Sequence, residues 1–174
     1  TALRYDAYSR MVTQTDALGN VTTYAYSDTN RTMTVTTPEG VAITTARNRF
    51  GETVEVRQPL PGGGTATTVT AYDKNGDVVK VTDALGNIST HAYDARGLLT
   101  SSTDASGRTI AYDYDAVGRV LKRREDPNGL NLTTTYAYDG QGRQVRVTDA
   151  SGRVTTMAYD RRGQLLETVR DPQV

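Results

Sequence analysis

The chain has 174 residues, with 20 Lys+Arg against 20 Asp+Glu and a formal net charge of zero at pH 7. This balance argues against a general nucleic-acid binder, whose affinity comes from neutralising phosphates. The absence of cysteine removes disulfide frameworks, thiolate metal sites and a Cys nucleophile, and a single histidine, His91, excludes a multi-His metal centre.

No apolar run approaches the roughly 18 residues of a membrane-spanning helix, and no basic-then-apolar leader opens the chain. The length suffices for one ordinary domain with a core. Composition is skewed, with 29 Thr and 11 Tyr but one Phe and no Trp. Thr, Tyr and Val favour strands, while 16 Gly and 15 Asp supply turn residues. The reading is all-β. At 36% the hydrophobic share is low for a globular domain.

An internal repeat dominates the chain. Tyr5-Asp6 opens a series of Tyr-Asp-x-x-Gly anchors. Two degenerate copies follow: Tyr26-Ser27 ends at Asn30, which tolerates a left-handed turn position in place of Gly, and Arg47-Asn48 ends at Gly51. Then come Tyr72-Asp73 with Gly76, Tyr93-Asp94 with Gly97, and Tyr114-Asp115 with Gly118. Tyr138-Asp139 with Gly142 and Tyr159-Asp160 with Gly163 close the series. The anchors at 5, 26, 47, 72, 93, 114, 138 and 159 are spaced by 21, 21, 25, 21, 21, 24 and 21 residues. The two long intervals hold loop insertions at 61–64 and 126–131. Residues 1–174 thus form a single array of seven to eight repeats.

A second turn, Thr-Asp-x-x-Gly, lies between anchors at Thr15 to Gly19, Thr82 to Gly86, Thr103 to Gly107 and Thr148 to Gly152. Asp caps the backbone of such a turn, and Gly accepts positive φ at its end. Six or seven residues separate the turns, a typical strand length. Tyr24, His91, Tyr112, Tyr136 and Met157 stand two residues before an anchor and share its face. Ala25, Ala71, Ala92, Ala137 and Ala158 occupy the other face. Short connections force antiparallel pairing. The spacing predicts a meander of two strands per repeat, about 14–16 strands and about 70 Å in the pairing direction. A sheet that wide is expected to curl, giving a spiralling ribbon with tyrosine ladders.

The hexapeptides Tyr114-Asp115-Ala116-Val117-Gly118-Arg119 and Tyr138-Asp139-Gly140-Gln141-Gly142-Arg143, with Thr-Asp-Ala-x-Gly at 82–86, 103–107 and 148–152, closely resemble the RHS/YD-repeat family over essentially the whole chain. That resemblance implies a long β-sheet coiled into a hollow shell that commonly encloses a C-terminal toxin. Relatives include bacterial polymorphic toxins, Tc toxin components and teneurins, and YD repeats have been linked to carbohydrate binding. The expected partners are neighbouring repeats and an enclosed toxin domain. The expected location is secreted or at the cell surface, and a glycan- or receptor-binding module is the alternative. Bacterial members often end in Asp-Pro-x-Gly motifs where the payload is released. This chain has Asp126-Pro127-Asn128-Gly129 alone, so no self-cleavage site is read. It opens mid-repeat at Thr1 and ends mid-repeat at Asp171-Pro172-Gln173-Val174, as a slice of a larger array would. An isolated slice is expected to associate edge to edge.

No catalytic, cofactor-binding or metal site is read. His91 fits a ladder position, and catalysis would need partners within hydrogen-bond reach. The aspartates fit turn caps, without EF-hand spacing. Pro61 to Gly64 lacks the Gly-Lys-Ser/Thr of a phosphate loop and reads as an inserted flexible turn. In Lys122-Arg123-Arg124, alternation sends Arg123 to the face opposite its neighbours, as part of a solvated or salt-bridged surface. Tyrosine at one fixed phase of every repeat is first a packing device.

Overall fold

Runs of Thr, Val and Tyr broken by Asp-x-x-Gly become strands, one run per strand. The computed structural model describes residues 1–170, and the Asp171-Pro172-Gln173-Val174 segment read as mid-repeat lies outside the described residues. The first eight strands are β1 (Ala2–Tyr5), β2 (Met11–Thr15), β3 (Val21–Ser27), β4 (Thr32–Thr36), β5 (Ala42–Arg47), β6 (Thr53–Pro59), β7 (Thr65–Tyr72) and β8 (Val78–Thr82). The next eight are β9 (Ile88–Tyr93), β10 (Leu99–Thr103), β11 (Thr109–Tyr114), β12 (Val120–Glu125), β13 (Leu132–Tyr138), β14 (Gln144–Thr148), β15 (Val154–Tyr159) and β16 (Leu165–Arg170). They stand in chain order in the sheet, with the strands of β1 to β8 and of β9 to β16 each pairing antiparallel with the next, as β1 with β2 and β13 with β14 do. Among the described residues there is no helix. The chain is the all-β antiparallel meander that its repeat predicts. Its contacts divide into two compact units, Thr1–Ser89 and Thr90–Val174.

The core expected from chain length does not form. Among the described residues no hydrophobic side chain is buried, and no polar one either. An interior needs a second layer packed on the first, and this sequence makes only one. The two faces still differ. In β3, Tyr24 and Tyr26 are half-buried while Thr23 and Ala25 are exposed, and β9 repeats the pattern with His91 and Tyr93 against Thr90 and Ala92. Across the strands the tyrosine face carries pairs such as Tyr24 with Val35 and Tyr136 with Val147. The alanine face carries Ala71 with Lys80, Ala137 with Arg146 and Ala158 with Glu167. Small alanines there leave room for long charged neighbours.

Each ordinary hairpin has the same three-residue loop. In the Asp73 hairpin, Gly76 N–H donates to the Asp73 carbonyl at 3.3 Å and Asp73 N–H donates to the Asp77 carbonyl at 2.9 Å. Gly76 has φ of 90°. This is a type I turn closed by a left-handed residue. The two hairpin classes then diverge. After Thr-Asp-x-x-Gly the register is unbroken, as in Thr13–Thr23, Gln14–Thr22 and Thr15–Val21. After a Tyr-Asp anchor it skips a residue: Tyr72 faces Val78 while Ala71 faces Lys80, leaving Val79 as a bulge. The same skip follows Tyr5, Arg47, Tyr93, Tyr114, Tyr138 and Tyr159. Bulges add local bend and twist, and here they mark one hairpin class only.

Two sequence readings change. Asn30 is not the left-handed residue of its turn; Arg31 is, with φ of 51°. The turn starts one residue late, with Arg31 N–H donating to the Asp28 carbonyl at 3.3 Å. Ser27 therefore extends β3 and pairs with Thr32, and this hairpin has no bulge. The 61–64 insertion is likewise not an enlarged loop. Leu60 N–H bonds the Gly64 carbonyl and Gly63 N–H bonds the Leu60 carbonyl, both at 3.1 Å, the ordinary bond pattern, although Gly62, Gly63 and Gly64 all have positive φ where the ordinary loop has one such residue. The added residues lengthen the strands instead, to 7 in β6 and 8 in β7. Residues 126–131 do form an irregular loop, with Asp126 and Asn131 both at positive φ.

Two non-Gly residues hold the position that Gly holds elsewhere, Arg31 and Ser9, the latter with φ of 61°. Left-handed backbone costs a residue with a Cβ about 1 kcal/mol. Arg31→Gly and Ser9→Gly should each stabilise the chain by about that amount, read as a raised midpoint in thermal denaturation. A lowered midpoint in both would contradict this assignment of strain.

Candidate functional site: the joint between successive repeats

The motif residues meet where one repeat joins the next, and the turn aspartate starts the joint. Asp115 Oδ1 accepts the N–H groups of Val117 and Arg119 at 3.0 and 2.9 Å. Asp139 does the same for Gln141 and Arg143, Asp94 for Arg96 and Leu98, Asp73 for Asn75 and Asp77, and Asp160 for Arg162 and Gln164. Hydrogen bonds to the ionised form favour it. The backbone N–H of Arg119 is the main cause holding the Asp115 carboxyl below its usual range, and that of Leu98 does so for Asp94. At Asp139 burial pulls upward, yet the backbone and guanidinium bonds from Arg143 prevail and the net shift is down.

The second carboxylate oxygen holds an arginine that follows the left-handed residue of the turn, Ser9, Gly118 or Gly142. Arg10, Arg119 and Arg143 pair through Nε with Asp6, Asp115 and Asp139 at 2.8, 2.6 and 2.7 Å. Each guanidinium then lies over the anchor tyrosine of the following repeat. Arg10 is 4.5 Å from the Tyr26 ring centroid, Arg119 4.8 Å from Tyr138, and Arg143 4.9 Å from Tyr159. These are cation–π distances.

The tyrosine hydroxyl completes the joint. Tyr26 donates to the Met11 carbonyl at 2.9 Å, Tyr72 to Thr53 at 2.8 Å and Tyr114 to Leu99 at 2.7 Å. Tyr138 donates to Val120 and Tyr159 to Gln144, both at 2.9 Å. Every acceptor is the residue that faces the preceding anchor and immediately precedes its bulge. The bulge interrupts the ladder there, and the incoming phenol supplies a donor at that point. Burial at the joint raises the Tyr114 and Tyr138 hydroxyls above their usual pKa.

The remaining sequence-selected residues fall as follows. Tyr5 is 57% exposed on β1. Tyr93 is half-buried on β9 and faces Leu99. In that repeat Arg96 takes the arginine's part, reaching Asp94 through Nε at 3.0 Å and the Asp115 carbonyl at 2.9 Å. Gly97, Gly118, Gly142 and Gly163 all have positive φ, between 79° and 89°. His91 faces Ser102. Arg123 pairs with Glu125, and Arg124 with Asp113 at 2.7 Å, so the basic run is divided between two ion pairs. Sequence reasoning missed the role of Arg10, Arg119 and Arg143. The signal was present, since Gly-Arg belongs to the quoted hexapeptides.

A coreless meander whose motif side chains are used in holding one repeat to the next is a repeat scaffold, stabilised by nearest-neighbour contacts. The chain belongs to the RHS repeat family, whose model matches residues 2–42, 72–109, 93–130, 114–151 and 138–173, well over half of the sequence. Residues 43–71, outside those matches, include the Arg47 anchor and the two lengthened strands. No curated protein matches the chain. The crystal structure of TcdB2-TccC3-Cdc42 is similar with a TM-score of 0.59 and 18% identity, over 99% of this chain and 11% of that one. The crystal structure of TcdB2-TccC3 gives 0.58 and 18%, over 99% of this chain and 12% of that one. These likenesses concern the fold, and this chain spans about a tenth of those chains' length.

Tyr138→Phe removes one joint bond and should cost about 1 kcal/mol in denaturant unfolding. An unchanged midpoint would remove the hydroxyl from the joint. pH acts on the same groups. Asp6, Asp94, Asp115 and Asp139 have lowered pKa values in the fold. Their contribution is present above the unfolded value, about pH 4, and is lost as pH falls through the folded values. Tyr114 and Tyr138 are raised, so their contribution is full below about pH 10 and is lost above it. Stability followed by circular dichroism should be flat from about pH 5 to 9 and fall at both ends. A maximum at acid pH would contradict the carboxylate assignments.

Proposed function

We propose that the chain is a non-enzymatic structural segment of an RHS/YD-repeat shell, secreted or displayed as part of its parent protein. The shell encloses a C-terminal toxin and protects it until delivery to competing or host cells. The observation that carries this reading is the use of the motif itself. The anchor Tyr, Asp and Gly and the arginine that follows contact their own turn or the adjoining repeat. Such a module extends a wall. The fold likeness to TcdB2-TccC3 supports the same reading.

In the alternative, a glycan- or receptor-binding module, the tyrosines would meet the ligand. At Tyr26, Tyr138 and Tyr159 the hydroxyl is donated to a carbonyl and an arginine covers the ring, which favours packing. Sequencing the reading frame on both sides of the segment separates the two. The shell reading expects a long array ending in Asp-Pro-Gly motifs and an unrelated C-terminal domain. A short array between a secretion signal and a wall or membrane anchor, with no payload domain, would overturn it.

A further inference from the structure

The joint between the Tyr26 and Arg47 anchors lacks the anchor phenol altogether. Arg47 stands where the other anchors carry tyrosine, so no phenol reaches back to Met33, the residue that faces Tyr26. Its guanidinium instead donates to the Gly51 carbonyl at 2.8 Å. The own-turn pair is replaced too. Asn48 and Glu52 stand where Asp and Arg stand in the regular anchors, and Asn48 Nδ2 donates to Glu52 Oε2 at 2.6 Å. An open cleft of about 360 Å³ lies there, with Tyr26, Met33, Arg31, Arg47 and Arg49 among its lining residues.

Charge sets this cleft apart from two other cavities. In the cavity around Leu130, Arg108 is paired with Glu125. In the cavity around Thr65, Arg57 is paired with Glu55. Arg31, Arg47 and Arg49 form no ion pair among the described residues. The carboxylate in the cleft, Asp28, is neutralised from outside it by Arg10 at 2.7 Å. Arg49 is held over the Phe50 ring at 4.6 Å. Arg31 also keeps a left-handed backbone that Gly would adopt without strain. Strain retained at a surface cavity points to function.

We propose that this cleft binds an oxyanion, the carboxylate or phosphate group of a small molecule whose apolar body rests on Met33. Guanidinium forks match both groups bidentately. The cleft lies where the anchor phenol is missing, beside the joint that Tyr26 makes with Met11 and Arg10.

The test is a chemical-shift titration of the intact chain at low ionic strength with inorganic phosphate and, separately, with N-acetylglutamate. Saturable shifts confined to the 26–51 region are expected with at least one probe, weakening as salt is added. The tighter probe identifies the group. Arg47→Tyr, which restores the anchor, and Arg31→Gly, which relieves the backbone, should each weaken binding by about tenfold or more. Arg31→Gly is expected to fold at least as stably as the parent, so lost binding there reports the lost guanidinium. Saturation by neither probe would overturn the proposal, as would affinities within twofold of the parent in both variants.

Discussion

A one-layer sheet offers water both of its faces, and hydrophobic burial, the usual main source of stability, is limited to what neighbouring strands cover. Cross-strand pairs then become the unit of stabilisation. Under that constraint the hydroxyl bond from an anchor tyrosine such as Tyr138 to the preceding repeat matters more than its single-bond energy suggests. It places a large ring over the neighbouring strand, supplies a donor where the bulge interrupts the ladder, and presents a π-face to an arginine. The half-burial of the tyrosine face follows from these contacts.

The arginine links the two levels of the structure. Its Nε bond belongs to the local turn and its guanidinium plane to the next repeat, as Arg119 shows with Asp115 and Tyr138. Turn formation and repeat stacking are therefore coupled through one side chain. Surface ion pairs alone contribute little. Here the pair fixes the guanidinium where the aromatic ring arrives, so its role is placement as much as attraction.

The periodicity was plain in the sequence because Asp and Gly are the residues that a type I turn with a left-handed close requires. Strand count, antiparallel order and the two faces followed from spacing and alternation. The joint was harder to read. The Arg–Asp contact spans four residues, but the Arg–Tyr and Tyr–carbonyl contacts cross between strands, and their partners depend on a register skip that no residue type announces. Val79 sits at the bulge and looks like any strand valine. The Asn30 reading failed because the turn moved by one residue, which only the Ser27–Thr32 pairing reveals. The lengthened β6 and β7 were hidden because Pro61-Gly62-Gly63-Gly64 looks like a loop insertion yet closes an ordinary hairpin. The missing core was foreshadowed by the 36% hydrophobic share, but composition alone does not count layers.

The bulge also bears on inheritance. Five of the seven anchor intervals are 21 residues long, and those opened by Tyr5, Tyr93 and Tyr138 each present an acceptor carbonyl before the bulge to the phenol that closes the interval. Loss or gain of one such interval by recombination between neighbouring copies would bring a phenol to an equivalent carbonyl, with bulge, turn and arginine in phase. Array length is thereby a quantity that genetic exchange alters in whole-repeat steps, while the chemistry of each seam is inherited intact.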